Sequence, residues 1–174
     1  MTNPITATAP NVILVMGVSG TGKSTIGRQL ATALSAPFIE GDDHHPPANV
    51  AHMAAGHPLT DEMRWPWLDA LITACQDAGR ADQPVVLTCS ALKRCYRDHL
   101  RAGFGPMTIV FLDGGKDLLA RRMSERSGHF MPPALLESQL ATLEPPTDEE
   151  TTIHVHVSHT VPEIIEQVLT SLPA

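Results

Sequence analysis

Residues Gly17 to Ser24 read G-V-S-G-T-G-K-S and match the spacing GxxxxGK[ST]. Each residue type in that spacing has a task in holding a polyphosphate. Gly17, Gly20 and Gly22 permit turns that a side chain would block, so successive N–H groups, those of Val18, Ser19 and Thr21 included, can face phosphate oxygens. Lys23 would neutralise the β- and γ-phosphates, and the Ser24 hydroxyl would supply a ligand for Mg2+. Thr25 is placed to help hold the α-phosphate. The motif stands between an apolar run and an amphipathic one, where a strand hands over to a helix whose positive dipole end faces the anion. ATP is the expected ligand. GTPases, ATPases, small-molecule kinases and switches share this loop, so it leaves the acceptor open.

Further along, "FIEGDDHHP" places Glu40 and Asp42 on either side of a glycine at the end of a second apolar run. A two-residue period would aim both carboxylates at the mouth of the phosphate loop. Asp42 is assigned the removal of a proton from an attacking hydroxyl, and Glu40 an outer-shell role toward the metal ion. After a third apolar run, "CSALKRCYRDHLR" sets Lys93 and Arg97 nearest the strand's end, with Arg94 and Arg101 on what reads as a solvated helix face. Lysine occurs only at positions 23, 93 and 116, so two of three fall at such ends. In "ARRMSERSGHFM", Arg126 and, second to it, Arg122 could close on a transferring phosphoryl group from a mobile flap.

These residues need a scaffold that brings strand ends together. Apolar runs at 11–17, 37–42, 84–90, 107–113 and 151–158 alternate with helical stretches at 22–35, 61–79, 91–102, 116–127, 133–142 and 162–171. Such alternation predicts an α/β fold, a parallel sheet covered on both faces, with ligands at its C-terminal edge. Thr60 is expected to cap the helix that follows it. Residues 42–60 show no strand pattern and are expected to cover that edge. The full length of 174 residues suits one domain, with 1–10 as a flexible lead-in.

Composition narrows the class. Twelve Lys and Arg against 19 Asp and Glu give a net charge of −7, and the seven aromatic residues avoid basic runs, which argues against nucleic acid as a partner. No run approaches the ~18 apolar residues of a membrane span. Three cysteines without a CxxC pair suit a reducing, cytoplasmic compartment. The histidines of "HVHVSH" lack matching acidic or Cys partners and are read as structural. An NKxD element is missing, which argues against a GTPase, and Asp113 after "MTIVFL" is equally natural as the opening of a turn.

The segments "LVMGVSGTGKS", "GDDHHPPANVAHMAAGHPLTDEMRWPWL", "CSALKRCYRDHLR" and "RSGHFMPPALLESQLATLEPP" resemble, in order and spacing, the gluconokinase family of small-molecule P-loop kinases, over about Val12 to Pro146. The resemblance implies a three-layer P-loop kinase fold with a five-stranded parallel sheet of order 2-3-1-4-5, and a helical lid over about 121–142. It implies Mg-ATP as donor, D-gluconate as acceptor at its 6-hydroxyl, and a homodimer. It supports Asp42 at that hydroxyl, places His45, Lys93 and Arg97 near gluconate, and sets Arg64 toward the gluconate carboxylate or stacked on Trp65 or Trp67. Trp65 and Trp67 are read as packing residues. The chain departs from the family pattern at His44, Pro47, Ala48, His52 and Met63. Shikimate kinase is the alternative enzyme, although its glycine-rich acceptor turn is missing after the third run; a non-catalytic nucleotide-binding regulator is the alternative outside enzymes.

Overall fold

The computed structural model describes residues 11–80, 82–125, 133–148 and 150–174. Five strands, β1 (Val12–Met16), β2 (Phe38–Glu40), β3 (Val85–Thr88), β4 (Met107–Asp113) and β5 (Thr152–His156), pair in parallel in the order β2-β3-β1-β4-β5. The expected order holds. β1 is central, with Leu14 opposite Leu87 on one side and Ile109 on the other. All five of its residues are buried, as a strand covered on both faces requires.

Alternation along β1 feeds two cores. Val12, Leu14 and Met16 join Trp67, Leu71, Tyr96 and Phe104, while Ile13 and Val15 join Ile26, Leu30, Ile164 and Val168. The first core lies under α3 (Asp61–Ala78) and α4 (Arg94–Phe104); the second lies under α1 (Lys23–Leu34) and α7 (Val161–Ser171). In α1 the apolar residues Ile26 and Leu30 recur four apart and form the buried stripe. Thr60 caps α3 as expected, its hydroxyl accepting the Met63 N–H at 3.3 Å.

Between β2 and α3 the chain forms a 3-10 turn, Gly41–His44, and a helix, α2 (Pro47–Ala54), that the residue pattern does not announce. "HHPP" reads as a turn, yet Pro47 occupies the first helical position, where its missing N–H costs nothing and its fixed φ favours entry. Two further helices, α5 (Lys116–Ser124) and α6 (Pro133–Thr142), complete the described elements, with 126–132 outside the described residues. The expected helix at 91–102 begins instead at Arg94 and runs to Phe104. Among the described residues no helix is long and apolar enough to cross a membrane.

Candidate functional site

The loop after β1 leads into a helix that leaves its own N-terminus uncapped. Gly22 holds the N-cap position of α1 at φ 88°, ψ 25°, a left-handed conformation suited to glycine, and with no side chain of its own it makes no side-chain cap. The first turn contains no acidic residue. A helix start with a glycine at its N-cap and no carboxylate in its first turn fits a phosphate group. Lys23 folds back over the loop, its Nζ donating to the Val18 carbonyl at 3.1 Å, and the Thr21 hydroxyl donates to the same oxygen at 2.9 Å. Ser24 is half-buried and Thr25 exposed at the same helix start.

A cavity of about 840 Å³ opens from this loop across the C-terminal edge of the sheet. Ser19 and Lys23 line one part; Asp42, His45, Arg64 and Lys93 line another. Residues far apart in sequence thus share one space because β1, β2 and β3 all end there. The stretch 42–60 covers that edge, as expected, with Val50, Met53 and Leu59 against the cavity.

Gly41 sets the geometry of the acidic end. A Cβ on it would fall 2.0 Å from the Thr88 carbonyl oxygen, so only glycine lets the chain pass this close to β3. Its N–H donates to the Thr88 hydroxyl at 3.2 Å, and its carbonyl accepts the indole N–H of Trp67 at 2.8 Å. The 3-10 turn follows, which replaces strand alternation between Glu40 and Asp42. The two carboxylates therefore do not share a direction. Asp42 is 75% exposed at the cavity wall, whereas Glu40 accepts the Thr88 hydroxyl at 2.6 Å and lies 3.9 Å from Arg28. The outer-shell assignment for Glu40 loses its geometric basis, because its carboxylate is held against β3 and α1 rather than among the cavity-lining groups.

His45 stacks on Trp67 with ring centroids 4.0 Å apart and planes 20° from parallel. Burial pushes its pKa down from 6.5 to about 4; the nearby Asp42 charge opposes that shift and the Arg64 charge adds to it. The imidazole is neutral across the physiological range. Arg64 is buried, and its guanidinium carbon sits 5.2 Å from the centre of the Tyr96 ring, so it stacks on Tyr96 rather than on either tryptophan. Its Nε is buried without a hydrogen-bond partner among the described residues, which suits an acceptor group arriving in the cavity. Trp67 packs in the core and Trp65 meets Tyr96 edge-on at 5.6 Å, as packing residues.

Lys93 donates to both oxygens of Asp61 at 3.0 and 3.2 Å, and the Tyr96 hydroxyl donates to the same carboxylate. The Tyr96 hydrogen bond, then that of Lys93, holds the Asp61 carboxyl below its ordinary range. Spacing alone did not single out Tyr96 or Asp61; both sit in segments already matched to the family, beside residues that were.

Arg97 departs from expectation. Its side chain is fully buried and pairs with Glu150, Nε to Oε1 at 2.8 Å and Nη2 to Oε2 at 3.1 Å, while Nη1 donates to the carbonyls of Ala91 at 2.9 Å and Leu92 at 3.2 Å. It faces inward with Tyr96 and Leu100 and does not line the cavity, so a direct contact with an acceptor is corrected to a structural tie. Arg122 also reaches elsewhere, its Nη2 donating to the Val157 carbonyl at 2.6 Å beyond β5. Arg126 lies outside the described residues.

Gln139, on α6, was not anticipated. Its side-chain oxygen accepts the Ser19 N–H at 2.7 Å, so an amide of the phosphate loop is already engaged. The thiols of Cys75 and Cys89 are pushed up to about 12, chiefly by burial, and neither is primed as a nucleophile.

A family model described as an AAA domain matches residues 12–146. Gluconokinase from Gluconobacter oxydans is 48% identical over 160 residues, covering 92% of this chain and 90% of that protein. Thermosensitive gluconokinase of Escherichia coli is 43% identical over 155 residues, covering 88% and 83%. The crystal structure of a gluconokinase from Sinorhizobium meliloti superposes with a TM-score of 0.83 at 49% identity, over 93% of this chain and 91% of that one. The chain belongs to the gluconokinase family. Three of the five positions expected to depart from the family pattern have visible settings. His52 bonds through Nε2 to the Pro58 carbonyl at 3.1 Å and does not line the cavity; Pro47 starts α2; and Met63 contributes its backbone carbonyl to the buried Asn49.

Proposed function

We infer that this chain transfers the γ-phosphoryl group of ATP to the 6-hydroxyl of D-gluconate, giving ADP and 6-phospho-D-gluconate. One observation carries the reading: the phosphate loop, an exposed Asp42, a buried Arg64 with an unpartnered Nε, and Lys93 converge on a single cavity. The family membership supplies the acceptor.

In this reading the N–H groups from Gly17 to Gly22, with Lys23, hold the polyphosphate. Ser24 would hold magnesium, which when bound would neutralise phosphate charge. Asp42 accepts the proton of the 6-hydroxyl as its oxygen forms the new bond to the γ-phosphorus. The bond from that phosphorus to the bridging oxygen breaks, and its electron pair leaves with ADP. Arg64 and Lys93 fix the far end of the sugar acid, and neutral His45 sits beside Asp42. Arg126, and Arg122 after a change of partner, are proposed to complete the site from a lid over about 121–142. A cytoplasmic homodimer with the whole chain as one domain belongs to the same proposal; the three unpaired thiols suit that compartment.

ADP release from ATP and Mg2+ with gluconate, with shikimate, or with no acceptor tests the function. Release that depends on gluconate is expected. Release with shikimate alone, or nucleotide binding without transfer to either acid, would overturn it.

A further inference from the structure

Asn49, on α2, has no assigned role, yet it is buried beside the acceptor end of the cavity. Its side-chain Nδ2 lies 3.0 Å from the Met63 carbonyl oxygen. A carbonyl can only accept, so the amide nitrogen rather than its oxygen must occupy that place. The same Nδ2 is 3.4 Å from His45 Nδ1. An amide nitrogen donates two hydrogens and accepts none, so Nδ1 must be the bare nitrogen of the ring. With one proton on a neutral imidazole, that proton falls on Nε2, which faces Asp42 Oδ1 at 3.9 Å. The stack on Trp67, whose own N–H is tied to Gly41, fixes the plane of the ring, and a half-turn within that plane would set the Cδ2–H edge against the Asn49 amide and forfeit that contact.

We propose that Asn49 is a positioning residue that locks His45 in the Nε2–H tautomer, so that the imidazole presents a donor, not a lone pair, on the Asp42 side of the cavity. The proposal rests on the reading of Asp42 as the proton acceptor. With a lone pair on Nε2, His45 would repel the carboxylate and compete with it for the acceptor's proton. With a hydrogen there, it steadies the carboxylate or the incoming hydroxyl oxygen and leaves Asp42 as the one base. The tie from Met63 through Asn49 also couples the start of α3 to the ring, so the element that supplies Arg64 sets the direction of the donor.

Two-bond 1H–15N correlation spectra of the 15N-labelled protein at pH 7 read the tautomer directly, with the His45 signals identified by their loss in His45→Gln. The wild-type chain is expected to show a protonated Nε2 and a bare Nδ1. Asn49→Asp, which puts an acceptor against Nδ1, is expected to move the proton to that nitrogen, and Asn49→Leu to release the ring into a mixture. Each is expected to lower kcat about 10- to 100-fold while the KM for ATP changes less than about threefold. An Nδ1–H or mixed pattern in the wild type overturns the proposal without any variant having to fold. So does an unchanged tautomer, or an unchanged kcat, in Asn49→Leu. A locked Nε2–H pattern in a chain that phosphorylates no sugar acid would instead overturn the assigned reaction and leave the tautomer lock standing.

Discussion

Arg97 and Glu150 meet through two contacts, Nε to Oε1 at 2.8 Å and Nη2 to Oε2 at 3.1 Å, with neither side chain exposed to solvent. The pair ties α4 to the segment before β5, and Arg101 adds a contact to the same carboxylate at 3.2 Å. Through Nη1 it also holds the carbonyls of Ala91 and Leu92, which lead from β3 to Lys93 at the cavity. It is a prop for the acceptor wall rather than part of it.

Arg97→Ala, which leaves a buried carboxylate uncompensated, is expected to lower unfolding free energy by about 3–5 kcal/mol in urea titrations. The double variant Arg97→Met with Glu150→Leu should recover part of that loss, and only part, because the Ala91 and Leu92 carbonyls lose their donor. A single variant as stable as the wild type would refute the tie.

The same pair sets a pH dependence. Burial alone would raise the Glu150 carboxyl, but the Arg97 hydrogen bonds and charge, with Arg101 and the Thr147 N–H, outweigh it and hold the value below the ordinary 4.5. A value lower in the folded than in the unfolded chain means the contribution is complete above about pH 4.5 and is lost as pH falls through the folded value. Melting temperatures followed downward from pH 6 should therefore fall less steeply below pH 4.5 in Glu150→Gln than in the wild type. Parallel curves would contradict this.

How much of this was legible beforehand depends on how local each interaction is. The phosphate loop is one contiguous motif between a strand and a helix, and its place follows from eight residues. Strand alternation was equally readable, since β1, β3 and β4 are near-continuous apolar runs. Arg97 misled because its partner lies 53 residues away, and helical spacing alone does not separate an arginine facing a ligand from one paired inside. Glu40 misled because a 3-10 turn interrupts the strand period at Gly41, where the backbone passes too close to Thr88 for any residue but glycine. Asn49 carries no charge and stands in a proline-marked stretch, so its tie to His45 emerges only when α2 and α3 are folded together.

Arg64 is the strongest candidate for holding the carboxylate of the acceptor. Loss of a charge-assisted hydrogen bond is worth about 1.5–3 kcal/mol, so Arg64→Ala should weaken gluconate binding by roughly 10- to 100-fold. Arg64→Lys should recover little, because it cannot reproduce the planar fork stacked on Tyr96. Calorimetric titration with gluconate and, separately, with an ATP analogue checks this; equal losses for both ligands would place Arg64 in folding rather than in acceptor binding.

Gln139 engages the Ser19 N–H, a donor that bound ATP is expected to claim. A partly buried hydrogen bond of this kind contributes about 0.5–1.5 kcal/mol. Gln139→Ala should consequently bind ATP roughly two- to tenfold more tightly by fluorescence or calorimetric titration. Weaker binding would show that Gln139 assists the nucleotide instead of yielding to it.

The most direct test of the account is turnover against binding in Asp42→Asn. Asp42 is exposed at the cavity wall and, among the described residues, carries no structural hydrogen bond comparable to those of Glu40 or Glu150, so its amide should leave the fold and the phosphate loop intact. The dissociation constants for ATP and gluconate should stay within about threefold, while kcat should fall by about 10²–10⁴. A variant that turns over gluconate at the wild-type rate would contradict the claim that Asp42 takes the proton of the attacking hydroxyl.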